Sequence, residues 1–341
     1  MGPDLVIVIF LCYSTFNRKR CEVNSHHVFN QLILNYSHMI RIAHLSDCHI
    51  GPLPQINPVQ LVNKRISGYL NWRRHRRHVH KNETLDALCA DLSKQCADHI
   101  AITGDLVNLA LPYEFLRAHD WLETVGDPGR VSLVPGNHDA YVRLNKDPGM
   151  YRWHPYMKSD ENGVRFAGES PDLFPYVRFI TKNIVVIGLS SAVPTPVFMA
   201  TGKLGTDQLI RFQEIVSRLR QGNYFCVVMI HHPPMPDMTK PKRSLLDAEP
   251  LTKILRQLNA GLVLHGHNHV NSKILLETMT GQIPVIGVPS ASCSKQGKEP
   301  LARYNLFDIS RSGNCWKCTM TGRGFEAVGG KIAELENISI Y

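Results

Sequence analysis

The stretch Leu262–Val270, "LVLHGHNHV", passes from an apolar run into three alternate histidines, His265, His267 and His269. A short run of Leu and Val is typical of a buried strand. Imidazole fills an apolar core poorly and binds metal ions well. The stretch therefore predicts a strand that delivers histidines to a chemical site, and it raises the question of which of the three take part.

Four other apolar runs end in polar segments of the same kind. In chain order they are "SDCHIG" with Asp47 and His49, "TGDLVN" with Asp105, "VPGNHDA" with Asn137, His138 and Asp139, and "MIHHPP" with His231 and His232. Sites in α/β folds form at the carboxyl ends of strands. Each segment alone is compatible with an ordinary turn, but the five together predict one site. Mixed oxygen and nitrogen donors favour Mn, Fe, Zn or Co over Ca or Mg alone.

The remaining pattern predicts an α/β protein, because short Ile- and Val-rich runs alternate with helical periodicity. The predicted strands are Arg41–Ser46, His99–Thr103, Arg130–Val134, Ile184–Leu189, Phe225–Ile230 and Leu262–Leu264. The predicted helices are Glu83–Gln95, Tyr113–Thr124, Asp207–Arg220 and Ala248–Asn259. After Val270 strand patterns follow one another, which predicts a second sheet packed against the first.

The amino-terminal segment is predicted to be separate from the folded domain. The apolar run Leu5–Phe16 follows Asp4 rather than basic residues and lacks a small-residue cleavage site, so we do not expect export. Met39 directly precedes the first predicted strand. We interpret residues 1–38 as either a disordered leader or an artefact of start-site choice, and residues 39–341 as one catalytic domain.

The nine cysteines, an odd number without dense spacing, do not suggest a disulfide framework and favour a reducing, cytoplasmic setting. The C-x-x-C segment "CWKC", Cys315–Cys318, has a redox spacing. It lies in a strand pattern rather than at a strand-to-helix turn, so we set the redox interpretation aside.

The formal net charge of +9 is local rather than global. Three charges come from Arg18, Lys19 and Arg20, and seven come from the acid-free stretch Leu61–Asn82. The basic segment Arg73–Arg77 can be a solvated surface, a contact for a phosphate-bearing substrate, or a docking site for an anionic membrane surface. We do not expect nucleic acid as a partner.

The five polar segments resemble the motifs of the calcineurin-like metallophosphoesterases: D-x-H, G-D, G-N-H-D/E, a histidine often followed by proline, and G-H-x-H. They stand here as "DCH", "GD", "GNHD", "HHPP" and "GHNH", between Ile40 and Val270. The resemblance implies a four-layer αββα sandwich of two mixed β-sheets flanked by helices, with the metal site at the carboxyl ends of the strands.

The resemblance also implies roles for these residues. One metal ion would be held by Asp47, His49, Asp105 and His269, and the other by Asp105, Asn137, His231 and His267. His138 is the candidate catalytic residue, with Asp139 as a candidate for orienting it. His232 is a candidate substrate contact, and His265 is expected either to be structural or to support a ligand. The cofactors would be two divalent or mixed-valence ions of Mn, Fe, Zn or Co.

The function predicted from these observations is dinuclear metal-dependent hydrolysis of a small phosphorylated substrate. A phosphodiester is expected, attacked by a hydroxide that bridges the ions, and the motifs look most similar to the cyclic nucleotide and glycerophosphodiester branch. One alternative is a nucleotide-lipid pyrophosphatase, peripheral on the membrane, with Leu70–His80 as its docking surface. Another is a non-catalytic binding scaffold of the same fold, against which the retention of His138 and all seven ligands argues.

Overall fold

The computed structural model describes residues 39–144, 147–168, 172–295, 297 and 299–341. The predicted leader, residues 1–38, lies outside the described residues. The strands of the described residues are β1 (Ile40–Leu45), β2 (His99–Ile102), β3 (Val131–Leu133), β4 (Tyr176–Phe179), β5 (Ile184–Gly188), β6 (Phe225–Met229), β7 (Gly261–His265), β8 (Ser272–Glu277), β9 (Gln282–Gly287), β10 (Arg303–Ser312), β11 (Cys315–Phe325) and β12 (Ile332–Ser339).

The part of the chain that the structure describes contains seven α-helices. They are α1 (Arg65–Asn71), α2 (Arg77–Val79), α3 (Asn82–Ser93), α4 (Pro112–Val125), α5 (Glu161–Ala167), α6 (Thr206–Leu219) and α7 (Ala248–Leu255). A π-helical turn, Trp72–Arg76, joins α1 to α2, and 3-10 turns cover Pro58–Leu61, Gly149–Tyr156 and Pro241–Arg243. In α3 the buried residues Leu85, Leu88 and Leu92 recur at helical spacing. The four helices predicted from the sequence are α3, α4, α6 and α7, although α7 ends four residues early.

The strands form two mixed sheets. The first has the order β12-β11-β10-β1-β2-β3, in which β1, β2 and β3 are parallel and the other neighbours antiparallel. The second has the order β4-β5-β6-β7-β9-β8, in which β5, β6, β7 and β9 are parallel and both edge strands are antiparallel. Because each sheet contains both kinds of pairing, the prediction of two mixed sheets is confirmed.

The sheets pack face to face, and helices cover their outer faces. Ile42 of the first sheet shares a core with Val186 and Val227 of the second. The next residue along β5, Ile187, points to the opposite face and packs in a separate core with Phe212 of α6 and Leu251 of α7. Leu88 of α3 and Phe115 of α4 belong to the larger core. The predicted four-layer αββα sandwich is therefore confirmed.

The strands after Val270 do not form a sheet of their own, and that prediction was wrong. β8 and β9 extend the second sheet beside β7, whereas β10 pairs with β1 in the first sheet, with Ile309 opposite Ile40. The alternation of side chains identifies a strand but carries no information about its partner. The first sheet is therefore assembled from both ends of the folded domain, whereas the strands of the second sheet all lie between residues 176 and 287.

The cysteines of the described residues are all free, as the sequence predicts. Cys315 is exposed and Cys318 is buried within β11. Side chains at this odd spacing in a strand lie on opposite faces of the sheet. The "CWKC" segment is therefore a strand, and the redox interpretation remains set aside. No helix within the described ranges is both long and apolar enough to traverse a bilayer.

Candidate metal centre

Seven buried side chains lie just beyond the carboxyl ends of five parallel strands. Asp47 and His49 follow β1, Asp105 follows β2, Asn137 follows β3, His231 follows β6, and His267 and His269 follow β7. Each is at most 6% exposed. These are the seven residues that the resemblance implies as ligands, and the structure brings them all together.

One group of ligand atoms surrounds Asp47. His269 Nε2 lies 3.1 Å from Asp47 Oδ1 and 3.4 Å from His49 Nε2. His49 Nε2 in turn lies 4.0 Å from Asp47 Oδ1 and 4.0 Å from Asp105 Oδ2. Asp47, His49 and His269 thus direct donor atoms toward one point. An oxygen of Asp105 lies next to this group.

A second group surrounds His231. Its Nε2 lies 3.2 Å from Asn137 Oδ1 and 3.3 Å from His267 Nδ1. The same nitrogen lies 3.4 Å from Asp105 Oδ2. One carboxylate oxygen of Asp105 therefore borders both groups.

The donor set of each group fits a metal ion. Each group offers two imidazole nitrogens together with carboxylate or amide oxygens, which is the mixture that Mn, Fe, Zn and Co accept. Asp105 can contribute to both ions because it borders both groups. The grouping agrees with the two sets of ligands that the resemblance implies.

The four candidate histidine ligands are oriented by hydrogen bonds on the ring nitrogen that faces away from the two groups. Each of the four has its other ring nitrogen within hydrogen-bond distance of a protein oxygen: His49 Nδ1 at 3.3 Å from Val107 O, His231 Nδ1 at 2.6 Å from Thr103 O, His267 Nε2 at 2.9 Å from Arg243 O, and His269 Nδ1 at 2.8 Å from Glu299 Oε2. Such partners fix the tautomer and aim the remaining nitrogen, as is usual for metal-ligating histidines. The arrangement therefore presents four nitrogens to the two groups.

The backbone at the candidate ligands is in an unusual conformation. Five of the seven have positive φ, namely Asp47 (54°), His49 (42°), Asp105 (56°), His267 (68°) and His269 (56°). Non-glycine residues rarely adopt the left-handed region, and such residues cluster at functional sites. Among the described residues, five of the nine non-glycine positions with positive φ are therefore candidate ligands.

Gly266 explains the glycine of the "GHNH" motif. The backbone N–H of His267 donates to Asp47 Oδ2 at 3.0 Å, which draws the loop after β7 against the loop after β1. A Cβ atom at Gly266 would collide with the side chains of Ser46 and Asp47. Only glycine fits this approach.

The electrostatics of the centre favour ionised carboxylates. Burial alone would raise the pKa of Asp105, but the neighbouring His231 and His138 outweigh it and lower that pKa. Burial would lower the pKa of His231, but the Asp105 carboxylate raises it to about 9. His269 has its pKa raised to about 9 against burial, chiefly by Asp47. Cationic partners are thus favoured beside both carboxylates.

His138, the candidate catalytic residue, lies beside Asp105. Its backbone N–H donates to Asp105 Oδ1 at 2.7 Å, and its Nδ1 lies 2.6 Å from the carbonyl oxygen of Asn108. Nδ1 therefore carries the proton that binds Asn108, and Nε2 carries the lone pair. Burial, together with Arg76, lowers the pKa of His138 to about 3. The ring stacks on Tyr141, with 5.3 Å between centroids.

Two side-chain predictions need correction. Asp139 does not orient His138, because its carboxylate is occupied by backbone N–H groups, including those of Asp105 and Gly136. His232 is not placed to contact substrate: it is fully buried, with Nδ1 at 2.7 Å from Ser191 Oγ and Nε2 at 3.1 Å from Ala200 O. Its ring packs against His267 instead, with centroids 4.3 Å apart.

His265 differs from the two other histidines of its stretch. It is fully buried at the end of β7, and its Nδ1 lies 3.1 Å from the carbonyl oxygen of Gly266. It does not belong to either ligand group within the described residues. A structural role for His265 fits this position.

Two residues of the basic segment reach the centre: Arg76, which the sequence did not distinguish from its neighbours, and His80, which was not predicted as a site residue. Arg76 Nη1 lies 3.2 Å from His138 Nδ1, and its Nη2 lies 3.5 Å from His49 Nε2. His80 lies with its ring centroid 4.6 Å from that of His49, and it forms a cluster of candidate ligand atoms with His49 and His269. The charge pattern of the segment gives no signal that distinguishes these two from their neighbours.

Two further missed residues come from the chain after β9. Glu299 accepts from His269 as described, and Ser290 Oγ donates to the carbonyl oxygen of Asp47 at 2.7 Å. Ser290 also forms a parallel bridge with Ser46, which ties this segment to the end of β1. In the sequence, the segment "VPSAS" is compatible with an ordinary turn. It therefore gave no reason to predict Ser290 as a residue of the centre.

Comparisons with known proteins agree with this geometry. A family model described as calcineurin-like phosphoesterase matches residues 40–271. A probable cyclic nucleotide phosphodiesterase from Synechococcus sp. is 28% identical over 186 residues, which cover 54% of this chain and 62% of that protein. The match therefore spans about three fifths of the relative's length.

The fold has a counterpart among solved structures. A crystal structure of a dimetal phosphatase from Danio rerio superposes with a TM-score of 0.57, covering 88% of this chain and 98% of that chain. The two sequences are only 13% identical. The likeness therefore concerns the fold alone.

Proposed function

Because this chain belongs to the calcineurin-like phosphoesterase family, we propose that it hydrolyses a phosphodiester with the help of two metal ions. The observation that carries the proposal is the pair of ligand groups that share Asp105 Oδ2. Two ions held this way would supply activation of a water molecule and neutralisation of phosphoryl charge. The choice of a diester is supported by the name of the Synechococcus relative, a probable cyclic nucleotide phosphodiesterase.

His138 is the group that we assign to the leaving oxygen. Its Nδ1 donates to Asn108 O at 2.6 Å, so Nε2 is the ring nitrogen that can contact substrate. The negative charge of a bound phosphodiester favours the imidazolium form. His138 can then hold a proton on Nε2 and donate it as the ester oxygen departs.

A substrate panel tests the proposal. Protein reconstituted with Mn would be assayed with an aryl phosphodiester, the matching aryl phosphomonoester, a cyclic nucleotide, a glycerophosphodiester and a nucleotide-diphospho-lipid. We expect kcat/KM for at least one diester to exceed that for the monoester by about tenfold or more. Hydrolysis of the monoester alone would overturn the diester assignment. No hydrolysis with both ions bound would favour the scaffold alternative.

A second candidate is a nucleotide-lipid pyrophosphatase that works on a membrane surface. The observation that favours it is an exposed apolar and basic region, here called the cap surface, formed by Val59, Val62, Ile66, Leu70, Arg73, Arg74, Arg77 and Phe198. Val62 is 80% exposed and Phe198 is 83% exposed. Lys64 joins the two parts of the surface, because its Nζ binds Thr195 Oγ1 at 2.6 Å and Met199 O at 2.9 Å. Exposed apolar groups beside arginines are typical of surfaces that bind anionic lipids.

Vesicle binding tests this candidate. The triple variant R73E/R74E/R77E is compared with a matched triple, K182E/R220E/K317E, whose residues are equally exposed but lie outside the cap surface. We expect the wild type and the matched triple to sediment with vesicles containing phosphatidylglycerol, and the cap variant to remain in the supernatant. Equal sedimentation of the two triples, or no binding by the wild type, would contradict a membrane role for the cap surface.

A further inference from the structure

We infer that Arg76 is a phosphate-binding residue, which extends from the basic segment into the metal centre and contacts the phosphoryl group of the substrate. The inference rests on the proposed function only for the identity of its ligand as a substrate phosphate. The inference gives Arg76 a role that the charge pattern of the basic segment does not reveal.

Arg76 differs from the other arginines of its segment in direction. Arg73, Arg74 and Arg77 are exposed, whereas the guanidinium of Arg76 lies against His138 and His49. Arg76 is the last residue of the π-helical turn Trp72–Arg76. Such turns change the angular spacing of side chains and are frequent at functional sites. The turn therefore separates one inward arginine from three outward ones.

The neighbours of Arg76 do not satisfy its charge. Among the described residues no carboxylate lies within 4.0 Å of the guanidinium, although Asp105 and Glu299 act on it at longer range. The nitrogen that it approaches on His138 already donates to Asn108 O, and the nitrogen that it approaches on His49 is a candidate metal ligand. Even a half-buried cation such as Arg76 loses part of its hydration, and without a paired anion this loss is not offset. The position therefore calls for an anionic partner.

The anion must also suit the centre beside it. A guanidinium offers parallel N–H donors that match two oxygens of one phosphoryl group, and a tetrahedral phosphate has further oxygens for the metal side. Arg76 contacts residues of the Asp47 group and the candidate catalytic His138 at once. A phosphoryl group at this point would touch both the arginine and the catalytic machinery.

The arginine is held in place before any ligand arrives. Arg65 Nε donates to the carbonyl oxygen of Leu109 at 2.9 Å, which fixes α1 to the loop that carries Asp105. The backbone N–H of His80 donates to the carbonyl oxygen of Arg76 at 2.8 Å. Because the backbone around Arg76 is already bonded, little order has to be created on binding.

Binding of inorganic phosphate to metal-loaded protein tests the inference without relying on turnover. Calorimetry would compare the wild type with R76A and R76K, and with R73A and R74A as controls from the same segment. Metal content and Tm would be measured for every variant. We expect R76A to keep both ions and its Tm while its affinity for phosphate falls about tenfold or more. R76K should recover part of the affinity, and R73A and R74A should match the wild type.

Three results would overturn the inference. They are unchanged phosphate affinity in R76A, loss of metal from R76A, and the lack of phosphate binding by the metal-loaded wild type. Failure of the proposed function is recognised separately: if no diester is hydrolysed yet R76A alone loses phosphate affinity, the role of Arg76 stands. Where a diester is hydrolysed, R76A should raise KM for it, since the arginine contacts the phosphoryl group in the bound state.

Discussion

The carboxylate of Asp139 accepts the backbone N–H of Asp105 at 2.9 Å, and it thereby joins the loop after β3 to the loop after β2. It also accepts the N–H groups of Leu106, Val107 and Gly136, at 2.9, 3.1 and 2.8 Å. Four donors converge on one buried carboxylate that belongs to neither ligand group. Asp139 therefore fixes the loops that place Asp105 and Asn137.

Asp139→Asn should destabilise the protein and weaken metal binding. The amide group would present donors to backbone donors, and leaving buried N–H groups unpaired costs about 1–3 kcal/mol. Urea unfolding of the metal-free protein and metal titration would measure both effects. Asp160→Asn is a suitable control, because Asp160 caps α5 by accepting from Gly163 N at 2.7 Å. A variant of Asp139 with wild-type stability and metal affinity would show that the four bonds are dispensable.

His138→Ala should retain both ions and lose turnover. Removal of a general acid typically lowers kcat by about 10²–10⁴-fold, and His138 is absent from both ligand groups in the described residues. Metal content and kcat for the preferred diester would be measured on the same preparation. If metal is lost and activity follows occupancy, His138 is a ligand support rather than a catalytic residue.

Asp105→Ala should abolish binding of at least one ion, because Asp105 Oδ2 borders both groups. Elemental analysis after reconstitution would count the ions per chain. Asp91→Ala serves as the control: Asp91 is also bonded, to Arg323 and Tyr304, but on the outer side of the first sheet. Two ions in the Asp105 variant would remove the basis for a shared ligand.

Glu299→Ala should lower the affinity of one ion about 10–100-fold, the usual effect of removing a carboxylate that orients a ligating histidine. Glu299 accepts from His269 Nδ1, which aims Nε2 toward Asp47. Glu299→Gln keeps an acceptor and should recover part of the affinity. Competitive metal titration would give the values, and an affinity unchanged in the alanine variant would contradict the role.

The loops that carry the seven candidate ligands could be predicted from the sequence because each follows an apolar strand, and parallel strands of a sheet end at one edge. The choice of these seven among the polar residues of the loops came from the resemblance to the family. The residues around the seven could not be predicted. Glu299 and Ser290 lie in segments without a motif, and they reach the centre through pairings such as Ser46 with Ser290. His232 was predicted wrongly because the residue beside His231 in the chain points to Ala200 rather than to the centre.

The directions of the arginines in the basic segment could not be predicted from the sequence either. In an α-helix, residues three and four apart share a face, so Arg73, Arg76 and Arg77 would lie together. The π-helical turn separates them. Within the segment, Arg76 therefore faces the centre, whereas Arg73, Arg74 and Arg77 face solvent.

The central claim is that one chain holds two ions that share Asp105, and anomalous diffraction from crystals of the Mn-reconstituted protein tests it most directly. We predict two anomalous peaks about 3.5–4 Å apart. One should lie among Asp47, His49 and His269, and the other among Asn137, His231 and His267. A single peak, or peaks away from Asp105, would contradict the account.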